Sequence, residues 1–163
     1  MPELTFIIAR DFGRYYLRVA EQIQKLVDPL TDEQFWRRPY AYGNSAGHLL
    51  LHLTGNLSYY IGAEIARTGY VRDRPREFSD PSHAPKTQVI KNFQEAIAMV
   101  IATLEKQSAS AWPSAYTAQG MEDAGDRFTA FLRCAAHLSH HAGQIIYLCK
   151  QMSQEEWLEG VDG

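Results

Sequence analysis

Apolar residues recur through much of the chain at the spacing that places them on one face of an α-helix. No segment keeps the two-residue alternation of a half-buried β-strand, and no Asn-Gly turn joins a hairpin. The pattern predicts four amphipathic helices, at about residues 4–27, 45–67, 87–105 and 126–152, before an acidic tail at 153–163. We therefore expect a single all-α domain, 1–163, in which the four helices form a bundle with long loops between them.

Residues that favour helix ends lie at the predicted boundaries. The Asp28–Pro29 pair ends the first helix, because proline disfavours helical backbone in the residue before it. Asn44 or Ser45 can cap the second helix, Thr87 the third and Asp126 the fourth, since each offers a side-chain oxygen to the free amides of a first turn. The connections between the helices are long: 28–44, 68–86 and 106–125. They leave room for loops that wall a pocket.

The middle connection carries charges of both signs in the stretch RDRPREF. Arg72, Arg74 and Arg76 would suit an anionic substrate. Asp73 and Glu77 alternate with them, however, and such a mixture favours a solvated loop. An anion site there is the weaker of the two interpretations.

Composition narrows the classes of partner. The 163 residues carry a formal net charge of −3, so there is no basic excess to neutralise a nucleic-acid backbone. The longest apolar run, Ala96 to Leu104, is too short to span a bilayer, and the first residues do not form a secretory signal. Cys134 and Cys149 fall in one predicted helix, too far apart to form a disulfide. We expect a cytoplasmic protein with reduced thiols, and neither nucleic acid nor a membrane as its partner.

Two histidines of the predicted fourth helix lie on its core-facing side. His137 and His141 are four residues apart, which brings their imidazoles within reach of a single metal ion. In the predicted second helix, His52 shares a face with Asn56 and Tyr59, while leucines occupy a different side. Burying so many polar groups is costly unless they have partners, so the pattern favours a site over a plain core. The three histidines together predict a metal centre with open coordination positions.

The choice of the third ligand leaves an alternative. His48 and His52 are also four residues apart, so His48 could replace or join His52. We prefer His52 because it lies nearer the middle of its helix. His83, in a proline-flanked loop, and His140, on another side of the fourth helix, are set aside. The leucine-rich side of the second helix needs its own cover, from another helix or from a second subunit.

Other sites of known chemistry lack their residues. The chain has no H-E-x-x-H motif of a zinc protease, no E-x-x-H pair of a di-iron bundle and no C-x-x-C-H haem motif. Cys134 shares the face of His137 but has apolar neighbours, which favours an inert thiol over a nucleophile. No acidic residue is near the three histidines in sequence. A metal-bound water, a thiol cosubstrate or His48 would therefore have to handle any catalytic proton.

Three segments resemble a known family. NSAGHLLLHLTGN followed by SYYI, the loop RDRPREF, and HLSHHAGQIIYL are similar to the DinB-like (YfiT-like, damage-inducible) metal-binding four-helix bundles. The resemblance covers nearly the whole chain. It places the family's histidine triad on His52, His137 and His141, and it implies a divalent metal, zinc or nickel most often, at one end of the bundle.

Side chains next to the triad are candidates for its surroundings. Asn56 lies one turn after His52, and Gln144 lies just after His141, so either side chain could orient the ligands or the substrate. Tyr59 is a candidate for the pocket wall. These positions follow from helical spacing alone.

The resemblance also implies a homodimer and, in some relatives, a transferase or isomerase that uses the metal to stabilise a low-molecular-weight thiolate. We expect a metal-dependent enzyme, either a thiol-dependent S-transferase or a small-molecule hydrolase. A metal held by three neutral imidazoles keeps its charge and an open position for such chemistry. One alternative is a non-catalytic metal- or ligand-binding stress-response bundle. Another is a helical dimer whose histidines are ordinary core residues.

Overall fold

The computed structural model of the chain describes residues 3–79 and 83–159, with side chains described as far as Met152. In chain order its helices are α1 (Leu4–Val27), α2 (Asp32–Trp36), α3 (Ala46–Leu57), α4 (Arg76–Ser79), α5 (Lys86–Glu105) and α6 (Arg127–Glu159). The described residues contain one isolated β-bridge, between Ala115 and Asp126, and no strand. The all-α prediction is confirmed.

The four long helices pack as a bundle. α1 packs against α5 and α6, and α3 packs against the same two helices. Large apolar side chains such as Leu53, Phe93 and Phe131 are buried between them, and each contributes roughly 1.5–3 kcal/mol. The hydroxyl of Tyr16 donates to the backbone carbonyl of Phe131 at 2.8 Å, so the one polar atom of this buried ring is satisfied. The predicted four-helix bundle is confirmed.

The leucine-rich side of α3 is covered within the chain. Leu50, Leu53, Leu57 and Ile61 are fully buried where this segment lies against α5. Of the two covers expected from the sequence, another helix of the bundle is therefore the correct one. The homodimer stays a prediction and gains no support from this face.

The second helix ends differently from its prediction. α3 continues as a π-helix over Ser58–Ala63, in which the amide of Glu64 donates to the carbonyl of Tyr59 at 3.1 Å. The predicted continuous helix to residue 67 is therefore wrong over its last turns. An apolar period near 3.6 residues does not reveal such a wide turn, which inserts one extra residue and redirects the side chains that follow.

Side-chain caps lie at two of the predicted helix starts. The side-chain oxygens of Ser45 and Asp126 both accept first-turn amides, as predicted for α3 and α6. Thr87 does not cap α5, because the helix already begins at Lys86 and Pro85 is the residue before it. The two short helices α2 and α4 were not predicted, since four or five residues show no period.

The last helix is longer than expected. α6 continues to Glu159 instead of ending near residue 152, because the tail SQEEWLE holds good helix formers and no glycine before residue 160. Trp157 of this tail lies outside the described side chains. No helix in the described part of the chain is long and apolar enough to cross a membrane.

Candidate metal centre

The three predicted histidines meet between α3 and α6. His52 comes from α3, and His137 and His141 come from adjacent turns of α6. Each offers one ring nitrogen, and these nitrogens all lie within 4.8 Å of one another. Nε2 of His52 lies 2.9 Å from Nε2 of His137. His52 is buried and the other two histidines are half-buried.

This spacing suits a metal ion. A zinc–nitrogen bond is about 2.0–2.1 Å long, so two imidazole nitrogens on one ion stand about 3 Å apart. The pair from His52 and His137 already has that separation. The third nitrogen needs at most small rotations of the half-buried side chains, since no pair exceeds 4.8 Å. The residues therefore fit a three-imidazole site.

Two neighbouring groups set the tautomers of the histidines. Nδ1 of His141 lies 2.6 Å from Oε1 of Gln144, an amide oxygen that can only accept. Nδ1 of His52 lies 2.7 Å from Oε2 of Glu77. A hydrogen on Nδ1 serves each of these contacts, which leaves Nε2 of His52 and of His141 as the nitrogen that could bind a metal.

Glu77 is a site residue that the sequence did not predict. It comes from α4 and is buried together with Arg72, with side chains 7% and 9% exposed. Nε of Arg72 donates to Oε1 of Glu77 at 2.7 Å, and Nη2 donates to Oε2 at 3.0 Å. The solvated-loop interpretation is therefore wrong for these two residues, because a paired charge can be buried where a single one cannot.

Glu77 is ionised in this environment. Burial alone would raise its pKa, but the hydrogen bonds from His52 and Arg72 and the Arg72 charge hold the pKa below its ordinary value. Nη2 of Arg72 also lies 3.2 Å from Nδ1 of His52. That nitrogen already donates its hydrogen to the carboxylate, so Arg72 acts on the histidine through Glu77.

A glycine in α3 makes room for this carboxylate. Gly55 follows His52 by three residues, and a Cβ atom at Gly55 would stand 2.1 Å from Oε1 of Glu77. No side chain fits there while the carboxylate keeps its place. Gly55 therefore allows the connection after α3 to reach the back of the His52 ring.

The two candidate ligands on α6, His137 and His141, have uncharged imidazole rings. Burial, together with the nearby His141 and His52, lowers the pKa of His137 to about 3. Burial also lowers the pKa of His141, although the hydrogen bond to Gln144 opposes the shift. Both rings are neutral at physiological pH, and only the neutral form binds a metal.

His48 does not join the cluster. It is 2% exposed, its Nδ1 lies 2.6 Å from the hydroxyl of Ser45, and Arg38 donates to its Nε2 at 3.1 Å. Both ring nitrogens are thus engaged, and burial, aided by Arg38, lowers the pKa of His48 to about 4. His48 instead takes part in the capping box at the start of α3, together with Ser45. Neither the role of a ligand nor that of a proton carrier gains support.

His83, which was set aside from the sequence, is exposed, and its ring stacks on that of Trp36.

A cavity of about 890 Å³ opens beside the histidines. Its wall includes His52, Asn56, Tyr59, Tyr60, Arg74, Arg133, His137 and His140. Asn56 and Tyr59 thus lie where the sequence placed them, whereas Gln144 contacts His141 outside the wall. His140, set aside from the sequence, lies on the wall with its ring centre 5.0 Å from that of His141.

The bundle has the same fold as a DinB-like protein of known structure. A crystal structure of a DinB-like protein from Bacillus cereus ATCC 10987 is similar to this chain with a TM-score of 0.67. The two share 16% sequence identity over 87% of this chain and 91% of the other. The DinB-like resemblance is thereby confirmed for the fold.

The sequence also matches a family model. Residues 10–159 match the family described as "Protein of unknown function (DUF1572)". The protein belongs to that family. No curated protein matched the chain. The family description names no activity, so a function has to be argued from the site.

Proposed function

We propose that this protein is a divalent-metal-dependent enzyme that acts on a small molecule, with His52, His137 and His141 as the metal ligands. The contacts of Glu77 and Gln144 support the proposal most directly, because they occupy Nδ1 of His52 and of His141 and leave Nε2 of each ring for a metal. Zinc or nickel would suit three imidazole nitrogens. When bound, the ion would supply a positive charge that lowers the pKa of a water or thiol ligand and polarises a substrate.

The surrounding residues would orient the site. Glu77 and Gln144 hold the rings of His52 and His141, and Arg72 holds Glu77. Such outer partners are worth about 10- to 100-fold in metal affinity or activity. The adjoining cavity would bring the substrate to the side of the cluster lined by His52 and His137.

The nucleophile would come from solution. Cys134, one turn before His137, is fully buried, and burial raises the pKa of its thiol to about 12. Cys149 is also buried. A low-molecular-weight thiol as cosubstrate, or water, would therefore be the attacking group. The proposed reaction is accordingly a thiol-dependent S-transfer or the hydrolysis of a small ester or amide.

Metal analysis of protein purified without a histidine tag tests the first half of this proposal. We expect one divalent ion per chain in the wild type and none in His137→Ala. The matched control is His140→Ala, which removes a neighbouring histidine of α6 and should keep the ion. Equal metal content in the two variants, or none in the wild type, would contradict the assignment of the ligands.

Activity assays test the second half. The metal-loaded protein is offered electrophiles together with glutathione, bacillithiol or mycothiol, and a panel of esters and amides without thiol. We expect turnover that disappears in His137→Ala and persists in His83→Ala, which removes a histidine that does not line the cavity. Stoichiometric metal without turnover of any substrate would favour the non-catalytic binding bundle instead.

A further inference from the structure

The cavity beside the histidines has two features that metal binding does not explain. One wall residue has a buried amide oxygen that accepts no hydrogen bond, and the wall carries positive charge. We propose that the cavity binds a small organic anion as the substrate, with its charged end at Arg74 and Arg133 and a hydrogen-bond donor facing Asn56. The identification of this anion as a substrate rests on the proposed function. The binding of the anion itself does not.

Asn56 provides the first observation. Its side chain is 5% exposed, and its Oδ1 accepts no hydrogen bond from the described residues. A buried carbonyl oxygen without a donor is costly, and native structures supply one from protein, water or ligand. Asn56 lies one turn beyond His52 and is one of the residues that line the cavity, so a molecule bound next to the cluster could supply the missing donor once the Asn56 amide turns toward it.

The charge of the wall provides the second observation. Arg72 is neutralised by Glu77, but Arg74 has no carboxylate partner among the described residues. Its guanidinium lies 5.8 Å from the centre of the Phe78 ring, which itself lies 4.9 Å from the His52 ring. Arg74 is thereby held near the triad with its charge uncompensated.

Arg133 adds a second cation from α6. It pairs with Asp123, but both side chains are about half exposed, and such pairs hold a charge only weakly. No aspartate or glutamate lies among the described wall residues. A cavity lined by cations without acids attracts anions and repels cations.

The size of the cavity suits a small molecule. About 890 Å³ lies within the range of roughly 300–1,000 Å³ that holds small ligands. Tyr59, Tyr60 and Tyr70 on the same wall offer apolar surface to the body of the ligand. The cavity therefore combines apolar surface, an amide oxygen that lacks a hydrogen-bond donor and two arginine side chains.

Matched pairs of acids and amides test this proposal. The probes are mercaptoacetate, 3-mercaptopropionate and 4-mercaptobutyrate, each compared with its uncharged amide, so that the thiol is the same and only the charge differs. Binding is measured by calorimetry on the zinc-loaded protein and on protein treated with a chelator. We expect at least one acid to bind about tenfold or more tightly than its amide, because an arginine gains more from a carboxylate than from a neutral group.

The variants locate the effect. The double variant Arg74→Gln/Arg133→Gln should bind acid and amide alike, whereas Arg76→Gln, on the same connection but not lining this cavity, should keep the preference. Equal binding of acid and amide to the wild type, or an unchanged preference in the double variant, overturns the proposal. If the protein retains no zinc but the chelator-treated protein still prefers the acids, the metal function fails and the anion site stands.

Discussion

Replacing Gly55 with alanine tests whether the Glu77 carboxylate holds His52 for the metal. The new Cβ would stand 2.1 Å from Oε1 and 2.9 Å from Cδ of Glu77. Carbon and oxygen atoms that are not bonded do not approach so closely, so the carboxylate must retreat by about 1 Å or more. A retreat of that size breaks the 2.7 Å hydrogen bond between Glu77 and His52.

Two expected effects of this substitution have opposite signs, which makes the result informative. Alanine in place of glycine inside a helix normally raises stability by about 0.5–1 kcal/mol. The loss of an outer partner of a ligand histidine normally lowers metal affinity by about 10- to 100-fold. We expect Gly55→Ala to lose the stability gain, because the buried pair of Arg72 and Glu77 is disturbed, and to bind zinc about 10- to 100-fold more weakly.

The assay is a competition for zinc with a chromophoric chelator, together with urea unfolding of the metal-free protein. Gly13→Ala is the matched control. It also lies inside a helix, α1, and its Cβ would meet Ile101 at 3.7 Å, an ordinary contact. If Gly55→Ala binds zinc as tightly as the wild type and gains as much stability as Gly13→Ala, the role assigned to Glu77 is wrong.

Three further predictions concern Gln144, the two cysteines and His48. Gln144→Ala should weaken zinc binding about tenfold in the same competition assay, because Nδ1 of His141 loses its acceptor. Cys134 and Cys149 should not react with a thiol reagent in the native protein, and both should react in denaturant, since both are buried with pKa values of about 12 and 11. The folded protein should lose stability as the pH falls from about 6.5 toward 4, because the unfolded chain protonates His48 first while its folded pKa is about 4. Urea unfolding measures the free energy of unfolding at pH 7 and at pH 5. Between these two values His48→Gln should lose about 1–2 kcal/mol less stability than the wild type. An equal loss in both proteins would contradict the low pKa of His48 in the folded state.

The bundle and the histidine cluster could be predicted because both depend on short-range spacing. An apolar period near 3.6 residues identifies a helix and its buried side, and the same period places His137 and His141 on that side. His52 could be placed by the same reasoning on a second helix. Only the meeting of the two helices required a fold, and burial of their apolar faces supplies it.

Glu77 could not be predicted because its role depends on a contact across 25 positions of sequence. Charges of both signs in RDRPREF look like a solvated loop, and α4 has only four residues, too few to show a buried face. One signal was present: Gly55 lies inside a helix, where it costs stability unless a close approach requires it. An interior glycine beside a candidate ligand is thus the one feature of the sequence that could have indicated a close partner.

The candidate metal ligands and the residues proposed to bind the substrate lie on different parts of the fold. The three candidate ligands lie on α3 and α6, whose packing belongs to the bundle that the Bacillus cereus protein shares at only 16% identity. Arg74 and Glu77 lie on the connection between α3 and α5, and loops vary more readily than the helices they join. A change at Arg74 can therefore alter which molecule the cavity accepts while the histidine cluster stays in place. Glu77 links the two parts, because this connection also orients His52. Under the proposed function, the bundle would hold the metal while this connection would determine the substrate.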